Sequence, residues 1–200
     1  MRAIRITKST CSNNDQQMKK IILSAACLMM GTAAFAQTFI TRTGKISFNA
    51  SAPSSPEKIE AINNEVANII DVKSGAIIFQ VPVKSFKFER ELMQEHFNEN
   101  YLESDKYPRA DFKGNITNLA DISFTKDGSY TLKVAGKLTI HGVTKDISVP
   151  GTITITGNSV RITAKFSVRL SEYNVIVPTV VSDKIGKEAV INLQSDLVQK

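Results

Sequence analysis

Long stretches of strict apolar–polar alternation constrain this chain more than any other feature. Tyr130, Leu132, Val134, Gly136, Leu138 and Ile140 fall on one face of such a stretch, and Thr131, Lys133, Ala135, Lys137, Thr139 and His141 on the other. Ile147, Val149, Gly151, Ile153 and Ile155 alternate with Ser148, Pro150, Thr152, Thr154 and Thr156. Val160, Ile162, Ala164, Phe166, Val168 and Leu170 alternate with Arg161, Thr163, Lys165, Ser167 and Arg169. A period of two places successive side chains on opposite faces of a β-strand, so each run predicts a strand with one face to bury. Gly157-Asn158, between the last two runs, reads as a hairpin turn.

The earlier part of the chain follows the same rule. Ile46, Phe48 and Ala50 share one strand face, and Ile77, Phe79, Val81 and Val83 another, with Pro82 pointing to a bulge or an edge. Phe112, Gly114 and Ile116 define a further strand, and Ala189, Ile191 and Leu193 the last. Residues 71–75 and Lys126-Asp127-Gly128 carry turn chemistry. Residues 59–71 read two ways. Ser54-Ser55-Pro56-Glu57 could cap a helix, while Asn63-Asn64 suits a turn between two short strands, which is the reading favoured. One segment changes period. Over residues 89–101, Met93, Phe97 and Tyr101 recur at every fourth position beside Leu92, which predicts a short helix. It must end before Pro108.

Many amphipathic strands joined by tight turns make an antiparallel sheet, and such a sheet either stacks on another or closes on itself. Closure removes exposed edges, and roughly eight strands enclose an interior able to hold one ligand. An inward face without charges suits an apolar ligand or a dry core, and the pattern leaves both open.

The first 36 residues read as separate from this domain. Met18-Lys19-Lys20, an apolar stretch over residues 21–30 and Ala34-Phe35-Ala36 follow the order of a secretory signal peptide, with Met18 as the start and cleavage after Ala36. Ser24-Ala25-Ala26-Cys27 offers a lipoprotein alternative behind a shorter apolar stretch. Cleavage after Ala36 removes five of the 25 basic residues (Arg2, Arg5, Lys8, Lys19, Lys20) and one of the 19 acidic ones (Asp15). The remaining 164 residues then carry 20 basic and 18 acidic side chains, a net of +2 rather than +6. That balance removes the charge argument for nucleic acid. Cys11 and Cys27 also leave, so the mature domain has no disulfide and no thiolate metal site. No apolar run reaches the roughly 18 residues that suggest a membrane-spanning helix. The expected destination is the periplasm or the medium.

Two long motifs carry a family resemblance. One is Leu138-Thr139-Ile140-His141-Gly142-Val143-Thr144-Lys145. The other covers residues 93–114, from Met93-Gln94-Glu95-His96-Phe97 through Tyr107-Pro108-Arg109-Ala110-Asp111-Phe112-Lys113-Gly114. Both resemble signatures of the YceI family of lipocalin-like bacterial proteins, and Ser182-Asp183-Lys184-Ile185-Gly186-Lys187-Glu188 resembles the family's closing stretch. The likeness spans most of residues 40–195 and is nearest to single-domain exported members of Bacteroidetes type. It implies an all-β fold, an eight-stranded antiparallel lipocalin-like β-barrel with a short helix near the mouth. It also implies export, and a long amphiphile of polyisoprenoid or fatty-amide type held inside the barrel. Catalysis is not implied. The chain has no Trp and therefore lacks the Gly-x-Trp of lipocalins proper.

The candidate site residues follow from that resemblance and from the strand faces. Met93, Phe97, Tyr101, Leu102 and Tyr107 either plug one end of the barrel or line a lipid portal there. Phe48, Phe79, Val81, Phe112 and Phe166 are core by default and line a ligand cavity if one exists. His96 and His141 are the only histidines and the candidates for a polar head group. Their plainer roles are a helix-surface contact for His96 and a turn-stabilising contact to backbone for His141. Two histidines without cysteine fall short of a zinc site, and no metal or cofactor is expected. No nucleophile elbow, zinc-protease motif or phosphate loop occurs. Glu95, Glu99 and Glu103 read as a solvated acidic row.

The leading expectation is an exported protein that holds a long-chain amphiphile for transport, storage or sequestration. A filled barrel acting as an interaction module is the alternative. An enzyme with His96 or His141 as base ranks third. A homodimer is compatible with the pattern.

Overall fold

The computed structural model describes residues 37–200, so the proposed leader, its start at Met18, the cleavage after Ala36 and both cysteines lie outside the described residues. Nine strands follow one another: β1 (Thr38–Ser51), β2 (Glu60–Asp71), β3 (Ala76–Pro82), β4 (Lys87–Phe88), β5 (Arg109–Ile116), β6 (Gly128–Ile140), β7 (Val143–Thr156), β8 (Ser159–Arg169) and β9 (Ile185–Gln199). The sheet order is β1-β9-β8-β7-β6-β5-β3-β2, and β1 pairs again with β2. That last pairing closes an eight-stranded antiparallel barrel, with two-residue β4 added on β2. A short helix, α1 (Glu91–His96), lies in the connection between β4 and β5.

Antiparallel order sorts the connections to two ends. Residues 72–75, 117–127 and 157–158 form the lower end, beside the start of β1 and the finish of β9. Residues 52–59, 83–108, 141–142 and 170–184 form the upper end, so the helix sits at the mouth. Turn chemistry shapes the lower end. Asp71 Oδ1 accepts the Ser74 amide at 2.9 Å, and Gly75 takes φ +70°. That amide, the largest influence, holds the Asp71 carboxyl below its ordinary pKa. Gly157 supplies the left-handed conformation (φ +54°) of the β7–β8 hairpin.

Two local expectations change, and a third is decided between its alternatives. Residues 60–71 form one continuous strand, with no turn at Asn63-Asn64. Asn63 is fully buried; its side-chain amide donates to the Pro82 carbonyl at 2.7 Å and its Oδ1 accepts the Glu65 amide at 2.7 Å. Its side chain thereby satisfies backbone groups at a register shift against β1, between the pairs Gly44↔Val66 and Ile46↔Asn63. Of the two roles expected for Pro82, a bulge or an edge, the structure has the edge: the ladder to β2 stops at Gln80, while Arg109 of β5 still lies opposite Pro82. The helical stripe over residues 89–101 is only partly α-helical. After His96 the chain widens into a π turn over Phe97–Tyr101, in which the Leu102 amide donates to the Phe97 carbonyl at 2.9 Å.

Inside, the barrel is filled in its lower half. Val66, Ile70 and Ile153 are fully buried, Ile155, Val160 and Leu197 nearly so, and Phe39 stacks on Phe124 at 6.0 Å between ring centroids. A fully buried polar pair, Asn68 Nδ2 donating to Ser195 Oγ at 3.2 Å, links β2 to β9 within this floor. Higher up, β5 and β6 approach through facing glycines, Gly114↔Gly136. A Cβ on Gly136 would stand 2.3 Å from the Lys113 carbonyl oxygen and 2.4 Å from Gly114 Cα. Gly136→Ala is therefore expected to lower stability by about 1–3 kcal/mol, read as a reduced urea midpoint. An unchanged midpoint would show that the two strands can part without cost.

Candidate functional site

The upper half of the barrel is hollow. An apolar cavity of about 530 Å³ opens beneath the helix. The strand alternation builds its wall directly, because every second side chain of β1, β3 and β5 to β9 points inward. Phe48, Phe79, Val81, Phe112 and Phe166 line it, as the sequence anticipates for a barrel with space inside. Leu132, Val134, Leu138, Ile162 and Ile191 complete the middle of the wall. The floor is the packed lower core. Open and filled interiors, which the pattern left as alternatives, thus share one barrel at different heights.

The mouth is covered by aromatic packing. Phe97, turned inward from the π turn, stacks on Phe48 at 5.4 Å and meets Phe86 and Phe88 at 5.5 and 5.1 Å. Phe48 contacts Phe86 and Phe88 edge-on at 5.4 and 5.8 Å. Such ring pairs contribute about 0.5–1.5 kcal/mol each beyond their burial. Met93, Tyr101 and Leu102 line the cavity beside this cluster, and His96 stands exposed at the rim. Phe86 and Phe88 went unrecognised in the sequence, although their spacing in Phe86-Lys87-Phe88 is the same alternation on a very short strand.

Charges gather at the rim from three separate segments. Glu57 pairs with the Arg90 guanidinium and lies 3.2 Å from Lys184 Nζ, and all three border the cavity. With both cations half exposed, pairs of this kind are worth no more than about 1 kcal/mol each. They tie the 52–59 loop to the start of the helix and to the segment before β9. No local pattern announces this cluster, because its members are far apart in the chain.

Tyr107 and His141 are placed elsewhere. Neither lines the cavity. His141 and Gly142 form the β6–β7 turn, both with positive φ (+50° and +74°). His141 Nδ1 faces the Tyr173 carbonyl at 3.2 Å, and Nε2 faces Glu103 Oε2 at 2.7 Å, so both ring nitrogens are engaged. Tyr107 packs edge-on against the His141 ring at 4.8 Å. It also lies flush on Gly142, where an added Cβ would meet it at 2.4 Å. The tight turn directs the His141 side chain not into the cavity but onto the Tyr173 carbonyl and Glu103, the plainer of its two expected roles, and so fastens the loop after the helix. Glu103 leaves the acidic row for the same contact. Tyr173, 2% exposed and lining the cavity, has its phenol pKa pushed up by burial and then by the Glu172 charge. Among the described residues, no group of three or more His, Cys, Asp or Glu is placed to hold a metal ion. No described helix is long and apolar enough to cross a membrane.

These features define a closed antiparallel barrel with a dry floor and an apolar chamber under a helical cover. The chain belongs to the YceI-like domain family, whose model matches residues 15–197. No curated protein matches the sequence. Among solved structures, a polyisoprenoid binding domain from Saccharophagus degradans, implicated in plant cell wall breakdown, superposes with a TM-score of 0.70 at 11% identity, over 82% of this chain and 99% of that one. BcnA of Burkholderia cenocepacia gives 0.62 at 19% identity, over 76% and 95%. The YceI protein of Campylobacter jejuni gives 0.51 at 16% identity, over 73% and 87%. At these identities the likeness establishes the fold.

The His141 contacts give a direct test of the cover. His141→Ala is expected to cost about 1–2 kcal/mol, the value of a hydrogen bond to a charged group discounted for the exposure of Glu103. It should also raise amide hydrogen exchange selectively in residues 97–108. Faster exchange spread evenly over the barrel would contradict a local fastening role.

Proposed function

We propose that this protein holds a long-chain amphiphile of polyisoprenoid or fatty-amide type in its upper chamber, for transport, storage or sequestration. The observation that carries the reading is the apolar cavity of about 530 Å³. That size falls within the roughly 300–1,000 Å³ of small-molecule sites, and the wall has few polar groups away from the rim. Burying a tail there contributes about 0.8 kcal/mol per methylene. The polyisoprenoid-binding description of the Saccharophagus degradans domain supports the same ligand class. Phe48, Phe79, Val81, Phe112 and Phe166 would contact the tail. Met93, Phe97, Tyr101 and Leu102 would cover it, and His96 would meet the polar end at the rim.

Export accompanies this reading. The charged, apolar and Ala-x-Ala regions of residues 18–36 would direct the chain to the periplasm or the medium, leaving residues 37–200 as the working domain. No catalytic step is proposed.

Geranylgeraniol or a long fatty amide at about 100 times its Kd should stabilise the protein by about 2.7 kcal/mol and raise its melting temperature accordingly. Ile191→Phe, which fills the chamber from β9, should abolish that rise while leaving the unliganded protein folded. An unchanged melting temperature across chain lengths would overturn the proposal.

A further inference from the structure

The barrel wall is not hydrogen-bonded to its full height. β7 pairs with β6 along its whole length, from Gly128↔Ile155 to Ile140↔Val143. β8 pairs with β9 from Ser159↔Val198 to Arg169↔Glu188. Between themselves, β7 and β8 pair only from Thr156↔Ser159 up to Gly151↔Ala164. Above that pair, residues 143–150 and 165–169 face each other without a ladder. Residues 165–169, at about 3.3 Å each, make an opening in the ladder about 17 Å long.

The sequence supplies a cause. Pro150 is the first β7 residue above the last pair, and it has no amide hydrogen to give. Proline within a sheet belongs to an edge, and above Gly151 β7 is locally an edge strand. The opening is framed at both ends. Gly151↔Ala164 forms its foot, and the contact between His141 Nδ1 and the Tyr173 carbonyl at 3.2 Å spans its top.

Ile147 and Val149 on one margin, and Phe166 and Val168 on the other, line the chamber. Their outward neighbours Ser148, Lys165 and Ser167 are exposed. Backbone groups without a ladder also lie along both margins, able to bond a polar group passing between them. The mouth, by contrast, is covered by the four packed phenylalanines. Two large apolar side chains on the loop joining β8 to β9, Ile176 and Val180, are 78% and 82% exposed.

We propose that the opening between β7 and β8 is the lateral entrance through which an amphiphile's tail reaches the chamber. The helix and its aromatic cluster then serve as a fixed cover. This inference rests on the ligand-holding reading above and specifies its route.

Extending the register from Gly151↔Ala164 brings Ser148 opposite Ser167. The test is a Ser148→Cys, Ser167→Cys variant of the full chain, with Cys11 and Cys27 replaced by serine, closed by a short bis-maleimide. A Thr152→Cys, Thr163→Cys pair, linked across paired strands below the foot, is the control. The probe is cis-parinaric acid, followed by stopped-flow fluorescence. Linking at 148 and 167 should slow both uptake and release at least tenfold with Kd changed less than twofold, while the control link leaves the rates unchanged. Pro150→Thr, which restores an amide donor, should slow exchange in the same direction without any linker. Rates that ignore the 148–167 link, or that fall equally with the control link, would overturn the route while leaving ligand holding intact. Failure of the unlinked protein to take up the probe would remove the ligand-holding reading, and the route with it.

Discussion

The pairing of β1 with β2 is the interaction on which the rest depends. β1 already bonds to β9, so its second ladder joins the two ends of the sheet. Closure gives every strand an inside and an outside, and only then does alternation become a chamber wall. The register shifts along β1 are the accommodation this requires. Gly44, buried in that stretch, lies close against its neighbours: an added Cβ would stand 3.1 Å from both the Val66 carbonyl oxygen and Ser195 Oγ, which would have to give way by a few tenths of an ångström. A one-residue slip of either ladder would turn the apolar face outward.

Once closed, the barrel divides by side-chain size and by what covers each end. Below, Phe39, Phe124 and the branched residues of β2, β7, β8 and β9 meet across the axis and leave no chamber. Above, the axis is left empty, and closure comes from the helix, the phenylalanine cluster and the loop fastened by His141. The floor can then supply fold stability without a ligand, because its packing is complete. The chamber walls lose dispersion contacts when empty, and a ligand restores them. Stability and binding thus occupy different heights of one sheet.

Much of this was legible in the sequence. The alternation in residues 130–170 identified the strands and their inward faces, and Gly157-Asn158 and residues 71–75 identified their turns. Phe48, Phe79, Phe112 and Phe166 were placed on the correct side of the wall. The errors came where a local rule needed a tertiary partner. Asn63-Asn64 looks like a turn, yet Asn63 bonds to Pro82, a partner on another strand. Pro82 and Pro150 each stand just past the point where one neighbouring ladder stops, the β2–β3 ladder at Gln80 and the β7–β8 ladder at Gly151, so both occupy local edges, and only the second could not be read from its own run. For His141 the turn residue types pointed to a backbone contact, and the structure has it at the Tyr173 carbonyl, while the second contact, to Glu103, comes from a distant loop. Whether inward side chains meet or leave a void depends on stacking across the barrel, which alternation does not encode.

The most direct test of the central claim is native mass spectrometry of the protein recovered from cells expressing the full chain, followed by solvent extraction. The account predicts a discrete mass above that of the polypeptide, lost on denaturation and recovered in the organic phase as a long-chain amphiphile. A bare polypeptide mass that stays bare after incubation with geranylgeraniol and a long fatty amide would contradict it, and would leave the chamber as an unoccupied feature of an interaction module.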